Sequence, residues 1–154
     1  MVWMFHNRTL NNKINRLHER ALRIVYKEDN STFQDLLQKD KSVTIHEKNV
    51  QKLATQMFKI KNKISPTPMQ DLFKSKIHNH ELRNKRLWES SNVRTSIYGT
   101  ETITYMGPKI WELVPDDIKR SQSLIEFKRK IKMWKPEGCS CKLCKIFVPE
   151  LGYL

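Results

Sequence analysis

Glycine and cysteine are scarce in this chain, and acidic residues are outnumbered. Four glycines occur in 154 residues, with no Gly-Lys-Ser/Thr run, which excludes a P-loop that cradles phosphate with glycine-freed backbone amides. No stretch reaches the ~20 apolar residues of a membrane span, so no membrane is expected among the partners. The opening Met1-Val2-Trp3-Met4-Phe5 breaks at His6, too early for a secretory core. The three cysteines all fall within Cys139–Cys144. An odd, clustered set argues against a disulfide scaffold and for a reducing compartment, so an intracellular location, nucleus or cytoplasm, is expected. Carboxylates adjoin only at Glu28-Asp29 and Asp116-Asp117. Each pair sits in turn sequence without the further acids that a two-metal centre needs. No local Ser–His or Cys–His motif stands out. The sequence supplies no catalytic residue.

Positive charge is what the chain has in plenty. Lys and Arg number 29 against 16 Asp and Glu, a formal net charge of +13. The excess is shared: residues 1–63 hold 13 basic and 6 acidic groups, and residues 64–154 hold 16 and 10. A basic tail on a neutral body is thereby excluded. Such a surplus concentrates polyanions and makes their binding salt-dependent, and nucleic acid, RNA or DNA, is the expected partner. With 38% apolar residues, the core should be thin and the helix faces long and polar.

Periodicity predicts a mainly α fold: a small helical bundle, then a short β-hairpin and C-terminal helices. Leu10, Ile14, Leu17, Ala21 and Ile24 step by four and three, the stripe of an amphipathic helix with a face to bury. Lys13, Arg16, Arg20, Arg23 and Lys27 repeat the same steps one position off, a basic line beside the apolar one. Thr32 can cap a short helix carrying Phe33, Leu36 and Leu37. Thr44 with Glu47 reads as a capping box for a helix to about Lys63 that buries Val50, Leu53, Ala54, Met57 and Phe58, with Ile60 and Ile64 as further positions. Pro66 and Pro68 interrupt and restart the helix. Val93–Tyr105 is rich in β-branched and aromatic residues around Gly99, which predicts strands at 94–98 and 102–105. Gly107-Pro108 then starts a helix, and Ser123 with Glu126 caps a last one through Phe127, Ile131 and Trp134. The expected organisation is a basic helical unit at 1–73, a basic connector at 74–92, hairpin and helices at 93–135, and a cysteine-containing tail at 136–154.

Nucleic-acid contacts are assigned to Lys13, Arg16, Arg20, Arg23 and Lys27, to Arg83 and Arg86, and to Lys128, Arg129, Lys130 and Lys132. Trp88, flanked by Arg83 and Arg86, is the candidate to stack on a base. Cys141 and Cys144 have the C-x-x-C spacing that brings two thiolates to one Zn²⁺, and Cys139 adds a third. A fourth ligand for a structural Zn would come from His78, His80, a partner chain or water; the other reading is plain reduced thiols.

The run Arg8-Thr9-Leu10-Asn11-Asn12-Lys13-Ile14-Asn15-Arg16-Leu17-His18-Glu19-Arg20-Ala21-Leu22-Arg23-Ile24-Val25-Tyr26 resembles the region after the polymerase core in non-LTR retrotransposon (LINE-type) endonuclease/reverse transcriptases. Leu53–Lys59, Tyr98–Glu101, Gly107–Pro115, Phe127–Lys132 and the cysteine cluster after Trp134-Lys135-Pro136-Glu137 extend the likeness in the same order. The resemblance implies a truncated, thumb-side and C-terminal portion of such a polyprotein. Its partners would be the upstream reverse transcriptase domains, and the RNA-directed DNA polymerase aspartates have no counterpart here. The basic stripe of the first helix would then track a template or primer backbone. The alternative is a structural or protein-interaction module, or an inert remnant.

Overall fold

The computed structural model describes residues 8–74, 87–89, 99 and 102–136. Among the described residues there are seven helices and no strand: α1 (Arg8–Tyr26), α2 (Phe33–Lys39), α3 (Ile45–Lys61), α4 (Thr67–Asp71), α5 (Ile103–Leu113), α6 (Asp116–Lys119) and α7 (Leu124–Met133). The chain packs as two units, Met1–Asn49 and Val50–Leu154.

In the first unit, α1 and α2 fold back on one another around Leu22, Leu36 and Leu37, with Tyr26 and Phe33 packed alongside. Thr32 caps α2 through a reciprocal pair: Asp35 N–H donates to Thr32 Oγ1 at 3.2 Å, and Thr32 N–H donates to Asp35 Oδ2 at 3.1 Å. The turn between the helices is pinned by Glu28, which accepts from Ser31 Oγ and from Lys39 Nζ. Tyr26 Oη donates to Asp40 Oδ1 at 3.0 Å. The first turn of α3 carries the expected capping box, with Glu47 N–H on Thr44 Oγ1 at 3.2 Å and Thr44 N–H on Glu47 Oε2 at 2.8 Å.

Three helices end alike. Lys27, Lys41 and Lys63 have φ of 52°, 52° and 55°, the left-handed conformation usually given to glycine after a helix. The following amide closes each end by reaching back five residues, with Glu28 N–H on Arg23 O at 3.3 Å, Ser42 N–H on Leu37 O at 2.9 Å and Ile64 N–H on Lys59 O at 2.8 Å. A glycine-poor chain thus makes its Schellman turns with lysine.

The second unit is built on α3, α5 and α7. Val50, Leu53, Ala54, Met57, Phe58 and Ile60 of α3 are buried with Met106, Ile110 and Trp111 of α5 and Phe127 and Ile131 of α7. Phe127 lies at its centre, stacked on Phe58 (4.3 Å between centroids) and on Trp111 (6.1 Å). Gln51, itself buried, donates its side-chain amide to the Trp134 carbonyl at 2.8 Å and satisfies the C-terminus of α7. Ser123 caps α7 by accepting from Glu126 N–H at 3.1 Å; Glu126 returns the bond to Gln122 N–H at 3.0 Å.

Several expectations are corrected. The strand expected at 102–105 is the first turn of α5, which starts at Ile103 with Thr102 as an extended N-cap. Ile103, Met106, Gly107, Ile110, Trp111 and Val114 recur at helical spacing, and burying that face outweighs the β preference of Ile103, Thr104 and Tyr105, which is weak and context-dependent. Pro108 therefore lies inside the helix instead of starting it. The strand expected at 94–98 lies outside the described residues. Ile64, expected inside, is 54% exposed, because Lys63 turns the chain out of the helix just before it.

The apolar stripe of α1 is also not where a core would put it. Leu10, Ile14, Leu17, Ala21 and Ile24 are all exposed, Leu17 at 64% and Ile24 at 72%. The buried face instead runs through Asn11 and Leu22, with His18 edge-on to Phe33 at 5.6 Å. Periodicity shows that a helix has an apolar face; it does not show which face a neighbour takes.

Candidate nucleic-acid interface

Exposed cations occur on several elements, and α1 and α7 carry three apiece among the described residues. Lys13, Arg16 and Arg20 of α1, and Lys27 after it, are exposed and pair with no carboxylate among the described residues. One residue turns a helix by about 100°, so Lys13, Arg16 and Arg20 fall within an arc of roughly 60°, and Lys27 follows just past the helix end. Axial steps between the three on the helix are about 4.5 and 6 Å at 1.5 Å per residue, a row of charges along one side of the rod. Such an array can neutralise successive phosphates without reading bases.

Arg23 departs from that row. Its Nη2 donates to Glu19 Oε1 at 2.8 Å, and its Nη1 donates to the Glu28 carbonyl at 3.4 Å and to that of Asp29. The guanidinium is a tie across the end of α1, held by the carbonyls and carboxylate it neutralises. Glu19, four residues earlier on the helix, is the acid that draws it off the basic line.

On α7, Lys128, Arg129 and Lys132 are exposed and Lys130 is half-buried. Lys130 is engaged by Glu126 at 2.8 Å and by the Asp117 carbonyl at 3.4 Å. That pairing holds the Glu126 carboxyl below its ordinary value, with help from the Gln122 amide. Three cations therefore face outward from α7 next to Ile125 and Met133, which are 82% and 83% exposed.

Trp88 is not available to a base. It is buried at 6% exposure, edge-on to Trp111 at 5.7 Å and to Phe73 at 6.1 Å. Its backbone neighbour Glu89 donates to the Lys74 carbonyl at 3.0 Å. The indole is core, and the basic residues around it in sequence do not make it a stacking platform. Arg83, Arg86, His78, His80, Cys139, Cys141 and Cys144 lie outside the described residues. Among the described residues no three His, Cys, Asp or Glu side chains come together as a metal site, and no helix is long and apolar enough to cross a membrane.

One titratable group stands apart. His18 lies against Phe33 on the packed face of α1, and its pKa is lowered below 6.5 by burial first and then by the charge of Lys48, with Asp40 opposing. Asp40 is itself held low by its polar neighbours Ser42 and Tyr26, the latter through its hydroxyl hydrogen bond. Both belong to the packing of the first unit and neither faces the basic row. Comparison with known proteins finds no matching family model, no matching curated protein and no matching solved structure.

Proposed function

We propose that this chain contacts RNA or DNA through the phosphate backbone, without sequence readout, and catalyses nothing by itself. The observation that carries this reading is the set of unpaired, outward-facing cations at two helices: Lys13, Arg16 and Arg20 on α1 with Lys27 just after it, and Lys128, Arg129 and Lys132 on α7. Among the described residues none of these seven forms an ion pair, while Arg23 and Lys130 are paired with Glu19 and Glu126 and turned toward the fold. The likeness of the sequence to the region after the polymerase core of LINE-type reverse transcriptases supports the same role. In a parent polyprotein, the catalytic aspartates would lie upstream and this portion would hold template or primer beside them.

Binding measured against salt tests the proposal. Four phosphate contacts on duplex DNA give a log–log slope of about −3.6, so affinity should fall roughly a hundredfold between about 50 and 200 mM salt. An affinity flat across that range would refute backbone recognition. Replacing Arg16 and Arg20 with Glu should weaken all sequences about equally.

A further inference from the structure

The exposed stripe of α1 has no use in phosphate recognition, since aliphatic side chains offer a nucleic-acid backbone neither charge nor a hydrogen bond. Yet it is long and continuous. Leu10, Ile14, Leu17, Ala21, Ile24 and Val25 fall in one arc of about 100° and run about 22 Å along the axis. All six are exposed, Val25 at 68%. Exposed apolar strips of this kind mark a surface that meets something.

What borders the strip says what that is. Lys13, Arg16 and Arg20 occupy the arc on one side of it, and Lys27 follows just past the helix end. The arc on the other side is taken by Asn11, His18 and Leu22, packed toward α2. The occupant must therefore offer apolar matter and negative charge side by side. A second copy of this chain, at +13, brings like charge instead. A groove that wraps a helix on several faces is blocked by α2, which already holds one. A flat layer, anionic at its surface and apolar just beneath, meets the free arc without touching α2.

We infer that α1 is an interfacial helix that lies on an anionic lipid surface, with its apolar stripe at the acyl boundary and Lys13, Arg16, Arg20 and Lys27 among the headgroups. A helix with a strong apolar face, a cationic flank and low overall hydrophobicity behaves in this way. It needs no membrane-spanning length. The sequence-based expectation of no membrane rested on the missing span, which does not bear on a helix lying flat. The four cations are shared with phosphate recognition, so lipid and nucleic acid compete for them, whereas the stripe serves lipid alone.

Vesicle flotation of the full chain tests this, with phosphatidylcholine vesicles containing about 30 mol% phosphatidylserine and with phosphatidylcholine alone, at about 100 mM salt. Binding to the anionic vesicles should exceed binding to neutral ones at least tenfold. The double variant Leu17→Gln, Ile24→Gln removes no core contact and adds no charge beside the cations, and should lose about a hundredfold in vesicle binding while its RNA affinity changes by less than about twofold. Equal vesicle binding by the double variant, or no flotation of the unaltered chain, overturns the inference. So does a concentration-dependent dimer that the same variant abolishes, since the stripe would then be occupied by a second copy. If RNA binding fails and flotation stands, phosphate recognition of nucleic acid falls and this inference survives.

Discussion

Gly107 of α5 rides directly over Met57 of α3: a Cβ placed on Gly107 would lie 2.6 Å from Met57 Sδ and 3.4 Å from Phe73 Cε1. The space a side chain at 107 would take is filled by the thioether end of Met57. Glycine inside a helix costs about 1 kcal/mol against alanine, so propensity alone would make Gly107→Ala stabilising. Overpacking a buried contact costs about 1–3 kcal/mol, and a methyl group inside van der Waals range of sulfur falls in that class. Gly107→Ala should therefore destabilise the second unit, seen as a lower urea midpoint. In a Met57→Ala background, itself destabilised by the cavity left at a fully buried methionine, the added cost of Gly107→Ala should vanish.

Phe127 is fully buried between two rings. Truncating it to alanine removes both stacks and leaves a cavity, for which about 3–5 kcal/mol is expected. Trp88→Ala should also destabilise, since Trp88 touches Trp111 and Phe73. Its effect on nucleic-acid affinity, measured under conditions where the variant stays folded, should be small. A base-stacking residue would show the opposite pattern.

How much of this was legible in the sequence depends on what each residue's signal encodes. Thr44 with Glu47, Thr32, and Ser123 with Glu126 act within one turn of chain, and all three caps are formed. The buried positions Phe127 and Ile131 are legible because Leu124 and Trp134 extend their spacing in steps of three and four, whereas Ile125 and Met133 fall off it and are exposed. Ile103-Thr104-Tyr105 misled because β-branching is a local preference, whereas the face 103, 106, 107, 110, 111, 114 is set by what packs against it. Trp88 misled because flanking arginines describe sequence neighbours, and its partners Phe73 and Trp111 are distant in the chain. The exposed cations of α1 were readable as a row. That Arg23 belongs to the helix end was not, since its partners include the carbonyls of Glu28 and Asp29.

Gln51 provides a second packing test. It is buried and caps the carbonyl of Trp134 at 2.8 Å. Gln51→Leu keeps the volume but strands that carbonyl, and an unsatisfied buried polar group costs about 1–3 kcal/mol. Loss should appear in thermal unfolding, with amide exchange rising over 124–134 before the rest of the unit.

Arg23 and Arg16 should separate by function. Arg23→Ala loses the Glu19 pair and the carbonyl bonds, so it should lower stability while leaving the salt slope of nucleic-acid binding nearly unchanged. Arg16→Ala should do the reverse, leaving the unfolding free energy within about 0.5 kcal/mol and reducing the slope by about one contact.

Acid should loosen the first unit in two stages. His18 titrates below 6.5 when folded, so as pH falls the unfolded chain takes up its proton first. Stability from this group is complete above 6.5 and is lost as pH falls through the folded value. Glu28, Asp35 and Asp40 are likewise held below their ordinary values of 4.5, 3.8 and 3.8, by Lys39, Thr32 and Ser42 in turn. Their contribution is complete above the ordinary range and lost at lower pH. Urea midpoints taken from about pH 7.5 to pH 3 should fall twice, and His18→Gln should remove the first fall only.

Lysine at the left-handed turns after α1, α2 and α3 makes two properties of the molecule independent. Glycine at 27, 41 and 63 would keep every closing hydrogen bond, relieve the side-chain crowding of positive φ, and leave the net charge three below +13. Helix-end geometry could thus be held constant while the reach of the electrostatic field is dialled down. A natural chain that keeps lysine at all three places has given up some backbone ease and carries its charge out to the corners of the fold.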